Sequence, residues 1–187
     1  CRQLREWHLQ GHQSWSMAVN LSTLQFEQPS LVNTVLNCLA LHHVPPEMLI
    51  LEVTETTAMS NPDESVRVLT ELTKAGVKAS IDDFGTGYSS LLYLKRLPAC
   101  ELKIDRAFVK ELSGESEDAT IVSAIVALAK TLNLKVVAEG VETEAQQAFL
   151  TELGCNTLQG YLLGKPVSAQ TIEALCALGE MLPGAGL

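Results

Sequence analysis

The chain has 187 residues, 47% of them hydrophobic, which is enough apolar mass for one domain with a sizeable core. Its formal net charge of −9 argues against a nucleic-acid polymer as the main partner, because a phosphate backbone is repelled by an acidic surface. No stretch approaches the roughly 18 uncharged apolar residues of a membrane span, and the mixed-charge opening of the chain is unlike a secretory signal.

Cysteine usage indicates a reducing compartment. The cysteines are odd in number, scattered, and include no CxxC pair, which predicts reduced and mostly buried thiols rather than a zinc site or a disulfide framework. We therefore expect a cytoplasmic location without membrane contact for this segment, any inner-membrane anchor being supplied by other domains of a longer protein. The five thiols belong to Cys1, Cys38, Cys100, Cys155 and Cys176.

Short apolar runs alternate with amphipathic stretches along the whole chain. The predicted strands are, in chain order, SMAVN (16–20), LILEV (49–53), KASIDD (78–83), ELKID (101–105), KVVAEG (135–140) and NTLQG (156–160). Predicted helices cover 1–10, 30–42, 61–76, 91–97, 116–133, 143–154 and 168–181, and residues 182–187 are expected to fray.

The helix over 61–76 has the clearest boundaries, with Asn61 as N-cap and Gly76 just past its end. Regular strand–helix alternation predicts parallel strands built from right-handed βαβ units, and hence an α/β fold. No linker or low-complexity segment interrupts the pattern, so we expect a single domain over 1–187.

Nearly every predicted strand ends in a polar side chain that can bind a cation or a phosphate. Buried parallel strands are normally continuous apolar runs, and their carboxyl ends are where α/β proteins build active sites. The polar residues therefore predict one site at this edge. They are Asn20, Glu52, Asp82, Asp83, Lys103, Glu139 and Gln159.

The adjacent carboxylates Asp82 and Asp83 pose the sharpest question, since two like charges repel unless a cation is shared. An isolated Asp-Asp pair is more often an exposed turn, so the alternatives are a turn or a metal site. Carboxylate and amide oxygens are hard ligands that suit Mg²⁺, Mn²⁺ or Ca²⁺. The four histidines lie away from the strand ends, which disfavours zinc, and no phosphate-binding loop or nucleophile elbow is present. Acidic residues with one lysine suit two-metal hydrolysis.

Six blocks resemble, in order and spacing, the bacterial EAL domains. They are VNLS, LEVTE, IDDFGTGYSS, LKIDRAFV, VVAEGVET and CNTLQGYLLGKP. The resemblance implies a modified TIM-type barrel with one antiparallel strand, and a phosphodiesterase that linearises cyclic di-GMP to pGpG with two Mg²⁺ or Mn²⁺ ions.

The resemblance also implies a role for each matching position. Asn20, Glu52 and Asp82 match ligands of the first cation, and Asp82, Asp83 and Glu139 match ligands of the second. Three further groups complete the expected site. They are Lys103, Glu139 and Glu142 as catalytic residues, Gln159 and Asp105 as substrate-binding residues, and Glu55 as the anchor of a regulatory loop containing Gly85, Thr86 and Gly87.

Two departures from the family pattern stand out. The Glu-x-Leu-x-Arg strand of the family is absent, and six predicted strands are fewer than a closed barrel of this type requires. We therefore expect a barrel that lacks its first two strands in this chain, and a fragment that is inactive alone. Asn156 stands where family members commonly carry aspartate.

Two functions of different classes remain at this point. The first is a cyclic di-GMP phosphodiesterase, and the second is an EAL-type module that binds the nucleotide or a protein without cleaving it. Another Mg²⁺-dependent barrel enzyme is a third interpretation. Expected partners are cyclic di-GMP, a second copy in a homodimer, and an upstream sensor or GGDEF domain.

Overall fold

A computed structural model of the chain describes residues 1–87, 90–112 and 116–177. The chain divides into two compact units, Cys1–Leu102 (unit one) and Lys103–Leu187 (unit two), each described by itself below. The predicted fraying tail over 182–187 and the end of the last predicted helix lie outside the described residues. No helix of the described residues is long and apolar enough to cross a lipid bilayer.

Unit one contains parallel strands separated by helices. Strand β1 (Met17–Leu21) pairs in parallel with β2 (Leu49–Thr54), and Asn20 lies opposite Glu52. Strand β2 also pairs in parallel with β3 (Lys78–Phe84), and Thr54 lies opposite Asp82. A single 3₁₀ turn, Pro46–Met48, precedes β2. The elements are α1 (Arg2–Leu9), β1 (Met17–Leu21), α2 (Thr23–Phe26), α3 (Leu31–His42), β2 (Leu49–Thr54), α4 (Glu55–Ser60), α5 (Pro62–Lys74), β3 (Lys78–Phe84), α6 (Leu91–Leu94) and the start of β4 (Glu101–Ile104).

Helix α5 shows why these elements form. The side chain of Asn61 accepts the Glu64 N–H at 3.5 Å, and Gly76 follows the helix with φ +100°, so both predicted boundaries are confirmed. Its buried face places Leu69 and Leu72 against the sheet, where Ile81 of β3 is equally buried. Each of these side chains contributes roughly 2 kcal/mol of hydrophobic stabilisation relative to exposure.

Unit two continues the alternation after β4. Strands β5 (Lys135–Ala138) and β6 (Thr157–Leu158) pair in parallel. The N–H of Glu139, just after β5, donates at 3.2 Å to the carbonyl of Ile104, the last residue of β4. The elements are α7 (Arg106–Lys110), α8 (Glu117–Thr131), β5 (Lys135–Ala138), α9 (Glu144–Leu153), β6 (Thr157–Leu158) and α10 (Ala169–Ala177).

Asn156 fixes the register of β6. Its N–H donates to the Val136 carbonyl at 2.9 Å, and its side-chain oxygen accepts the Val136 N–H at 2.8 Å. An amide oxygen therefore performs at this position the acceptor role that a carboxylate would also perform. The departure from the family pattern leaves the start of β6 firmly paired.

Several predicted boundaries need correction. Strand β6 covers two residues rather than five, and α6 ends at Leu94 rather than Leu97. Three short helices that directly follow strands were not predicted, because helices of four to six residues have too few turns to show an apolar period. All five cysteines are unpaired, as predicted, but each is half-buried rather than buried.

Candidate active site

Three predicted metal ligands meet at the strand ends of unit one. Glu52 and Asp82 are each less than one-tenth exposed, and the side-chain amide of Asn20 faces both. With its nitrogen turned toward them, Asn20 donates to Glu52 Oε2 at 3.0 Å and to Asp82 Oδ2 at 3.3 Å. The parallel register of β1, β2 and β3 thus brings these three side chains together.

The orientation of the Asn20 amide tests whether a cation fits this cluster. With its nitrogen facing the two carboxylates the amide donates to both, and rotation of the amide would present its oxygen to the same space. The two carboxylates repel each other unless a hydrogen-bond donor or a cation lies between them, so a cation could take the place of the amide N–H groups. The donor set contains only carboxylate and amide oxygen, which fits Mg²⁺, Mn²⁺ or Ca²⁺ and disfavours a soft metal.

A tight backbone turn orients the adjacent carboxylates. Asp83 has φ +53°, a left-handed conformation that few residues other than glycine adopt, and its N–H donates to Asp82 Oδ1 at 3.0 Å. Asp82 is therefore held through one oxygen by the backbone and presents the other to Asn20. Backbone strain of this kind concentrates at functional sites.

Glu55 anchors the glycine loop, as predicted. This carboxylate is 1% exposed, and its Oε2 accepts the N–H of Gly85 at 2.8 Å and of Gly87 at 3.4 Å. Gly85 needs its freedom for φ +101°, whereas Gly87 lies so close that an added Cβ would be 3.2 Å from Glu55 Cδ. The Thr86 hydroxyl donates to the Asp83 carbonyl at 2.8 Å and so joins the loop to the end of β3.

In unit two the predicted catalytic lysine is paired with a predicted metal ligand. Lys103 Nζ lies 2.7 Å from Glu139 Oε1, and the lysine is 4% exposed. A buried ammonium requires a counter-charge, and the Glu139 carboxylate supplies one, so the ion pair orients both side chains.

A pocket of about 210 Å³ in unit two collects three of the predicted residues, Glu139, Glu142 and Gln159. Gln159 is held by backbone bonds, since its N–H donates to Ala138 and its carbonyl accepts from Val141. The neighbouring Gly160 packs directly on the Val141 backbone, where a Cβ would collide. The pocket is lined by Arg106, Glu139, Gly140, Glu142, Gln159, Gly160 and Tyr161.

Asp105 has a local structural contact that differs from its predicted role. Its Oδ1 accepts the Ala107 N–H at 2.7 Å and so caps helix α7. It does not line the pocket that contains Gln159. Substrate binding by Asp105 stays a prediction.

Sequence reasoning missed one polar residue beside the pocket. Gln146 of α9 is 6% exposed, and its side-chain oxygen accepts the N–H groups of Glu142 and Thr143. The signal was available, because Thr143 and Gln146 form a T-x-x-Q capping box at the start of α9.

The comparison with known families decides the identity of the fold. The family model of the EAL domain matches residues 1–166. The chain belongs to the EAL domain family. This confirms the resemblance found in the sequence.

Individual relatives and solved structures agree with this family assignment. The bifunctional diguanylate cyclase/cyclic di-GMP phosphodiesterase MucR of Pseudomonas aeruginosa is 63% identical over 95% of the chain, which spans 26% of that protein. The structure of the PaMucR phosphodiesterase in complex with c-di-GMP superposes with a TM-score of 0.90 at 64% identity, covering 92% of this chain and 70% of that one.

Two further structures bear on the fold and on the metal. The EAL domain of Mycobacterium smegmatis DcpA matches with a TM-score of 0.90 at 38% identity, covering 97% of this chain and 82% of that one. Klebsiella pneumoniae BlrP1, in a manganese/cyclic di-GMP complex, matches with a TM-score of 0.77 at 32% identity, over 88% of this chain and 42% of that one. These neighbours confirm the predicted α/β fold of the modified barrel class.

Proposed function

We propose that this EAL domain is the phosphodiesterase segment of a longer protein and hydrolyses cyclic di-GMP to linear pGpG. The observation that carries the proposal is the convergence of the Asn20 amide with the Glu52 and Asp82 carboxylates at adjacent strand ends. Its support from relatives is the 63% identity to MucR, whose name includes this activity.

The cation set of the proposal is two Mg²⁺ or Mn²⁺ ions. Asn20, Glu52 and Asp82 would hold the first, and Asp82, Asp83 and Glu139 the second. When bound, such cations offset phosphate charge and make a bound water more acidic at neutral pH. They also explain how an acidic chain accepts an anionic substrate.

The protein residues contribute charge and orientation. Lys103 places a fixed positive charge next to Glu139 and stabilises negative charge that develops on the phosphate as water attacks phosphorus and the bond to the ribose 3′ oxygen breaks. Gln159 and Glu142 line the pocket beside Glu139, where they would orient the substrate and its water.

The expected partners follow from the relatives. The chain spans about a quarter of MucR, which is named as a bifunctional cyclase and phosphodiesterase, so a GGDEF or sensor domain upstream is part of the proposal. We also propose a homodimer through EAL domains and a cytoplasmic location. Unpaired thiols at all five cysteines support a reducing compartment.

The test is an assay of the full-length protein with cyclic di-GMP and Mg²⁺ or Mn²⁺, with pGpG measured by anion-exchange chromatography. We expect pGpG to form, and its formation to stop when a chelator removes the cations. Tight binding of cyclic di-GMP with no product at any cation concentration would instead establish the non-cleaving sensor and overturn the enzyme proposal.

A further inference from the structure

We propose that Gln146 is a positioning residue that clamps the loop between β5 and α9, residues 139–143, onto helix α7. The proposal rests on the proposed function, since that loop contains Glu139 and Glu142. Neither the family resemblance nor any predicted role includes Gln146.

All the hydrogen-bonding capacity of the Gln146 amide is used. Its oxygen accepts the N–H of Glu142 at 2.7 Å and of Thr143 at 3.0 Å, and its nitrogen donates to the carbonyls of Val109 at 3.0 Å and Lys110 at 3.3 Å. An amide has two donors and two acceptor sites, so a glutamine matches this position completely. A carboxylate would lose both donors, and an apolar side chain would lose all four bonds.

Capping of helix α9 requires only one of the four bonds that the Gln146 side chain makes. A capping box requires the bond from Gln146 to the Thr143 N–H, which satisfies the start of the helix. The bond to the Glu142 N–H reaches back into the loop, and the bonds to Val109 and Lys110 reach the last turn of α7. At Val109 the bond adds to the one that the same carbonyl accepts from the Leu112 N–H at 3.2 Å, so the amide reinforces the end of α7.

The loop is held by two sets of contacts, one from the segment that follows β6 and one that links it to α7. On the β6 side, the Val141 N–H donates to Gln159, the Val141 carbonyl accepts from Leu162, and Gly160 packs on the same backbone. Between the loop and α7, Gln146 makes two bonds to each, and Gly140 packs against Arg106 of α7.

Helix α7 begins directly after β4, the strand that carries Lys103. Gln146 joins the loop that contains Glu139 to the helix that follows the Lys103 strand. In this way it keeps Lys103 Nζ and Glu139 Oε1 at their 2.7 Å separation. Outer residues of this kind orient the groups that act directly on metal or substrate.

The experiment compares three variants of the full-length protein. Gln146→Met removes all four bonds at similar volume, and Gln146→Glu keeps the acceptors but loses the donors to α7. Thr143→Ala is the matched control, because it removes the hydroxyl that caps α9 through the Gln146 N–H at 3.2 Å and leaves the clamp in place. Turnover of cyclic di-GMP, KM, thermal midpoint and amide hydrogen exchange are measured for each.

We expect Gln146→Met and Gln146→Glu to lower kcat by about tenfold to a hundredfold with little change in KM. Amide exchange should accelerate over 139–143 and the end of α7. Thr143→Ala should lower the thermal midpoint while kcat and exchange at the end of α7 stay near wild type.

A Gln146→Glu variant with wild-type kcat and exchange would overturn the proposal, because the side chain would then serve only as a helix cap. If Gln146→Met does not fold, Gln146→Glu decides alone. If the wild-type protein does not cleave cyclic di-GMP, the proposed function fails, and exchange over 139–143 and α7 in the cation-free variants still confirms or overturns the clamp.

Discussion

The two units hold their strand-end residues by different chemistry. Unit one gathers the Asn20 amide and the carboxylates of Glu52 and Asp82, whose oxygens can all coordinate a cation. Unit two pairs its acid, Glu139, with the ammonium of Lys103 at 2.7 Å. Repulsion between the Glu52 and Asp82 carboxylates favours binding of a cation, whereas the Lys103–Glu139 ion pair already contains its own counter-charge. The first cation of the proposed pair should therefore depend mainly on unit one.

The loops that follow the strands differ in the same way. A buried carboxylate, Glu55, accepts two N–H groups of the glycine loop in unit one, whereas the neutral amide of Gln146 binds the corresponding loop of unit two. A carboxylate accepts stronger hydrogen bonds but adds another negative charge near the residues proposed to hold cations. The loop of unit one is therefore the better candidate for a switch that responds to cations or to a second subunit.

Asp83→Asn should give the largest effect, a loss of turnover of at least about a hundredfold in the full-length protein. Asparagine tolerates the left-handed conformation that Asp83 adopts at φ +53°, so the substitution removes charge with little backbone strain. Turnover at saturating Mg²⁺ and the thermal midpoint are measured together. Near-normal turnover in a folded variant would contradict the assignment of Asp83 to a cation.

Lys103→Met should lower turnover by roughly tenfold to a hundredfold, because a positive charge beside the phosphate is lost. Cation binding at the unit-one cluster should persist, since Lys103 is not among the residues proposed to hold the first cation. Calorimetric titration with Mn²⁺ checks this. An equal loss of Mn²⁺ affinity and turnover would mean that Lys103 acts mainly by holding Glu139, and the contrast between the units would weaken.

Glu55→Ala should release the glycine loop, raise the Mg²⁺ concentration for half-maximal activity by about tenfold and weaken any dimer. Glu55→Gln is the matched control. Both loop amides donate to the same oxygen, Oε2, so a glutamine oxygen can keep both bonds without the charge. Activity titrations and sedimentation equilibrium measure the two effects. Unchanged cation dependence and association in Glu55→Ala would reduce the loop to a connector.

The smallest effect concerns Cys155 of unit two, which is not among the residues proposed to hold a cation. Burial raises the pKa of this thiol to about 11 from an ordinary 9.0, so it is protonated near neutral pH. Alkylation by iodoacetamide should rise about tenfold per pH unit from about pH 8 to 10, because only the thiolate reacts. Mass spectrometry of the Cys155 peptide should show the same rate with and without Mg²⁺, and a clear Mg²⁺ effect would break the comparison.

The same pKa shift has a consequence for stability with a definite sign. Between pH 9 and 11 the unfolded chain has released the Cys155 proton while the folded chain retains it. The unfolded state then binds fewer protons, so the free energy of unfolding falls as pH rises through this window. Urea unfolding at the two ends of the window should show a shallower fall in Cys155→Ala.

The polar residues at or beside the strand ends were predictable from the sequence, because they interrupt apolar runs. This signal needs no knowledge of packing. Asn61 and Gly76 were equally readable, since each satisfies a local requirement at one end of α5. The left-handed conformation of Asp83 was not readable, because it depends on how the turn meets Glu55 and Asp82. Gln146 was visible as half of a capping box, but its bonds to α7 join residues more than thirty positions apart.

Asn156 shows how one strand tolerates a change of charge. Its side chain pairs with Val136 through a single oxygen, and both asparagine and aspartate present an oxygen at that place. Exchange between the two residues leaves the β6 register untouched while it alters the net charge by one. Sequences can therefore drift between them without displacing Gln159, and an already acidic chain, at −9, carries one repulsive charge fewer.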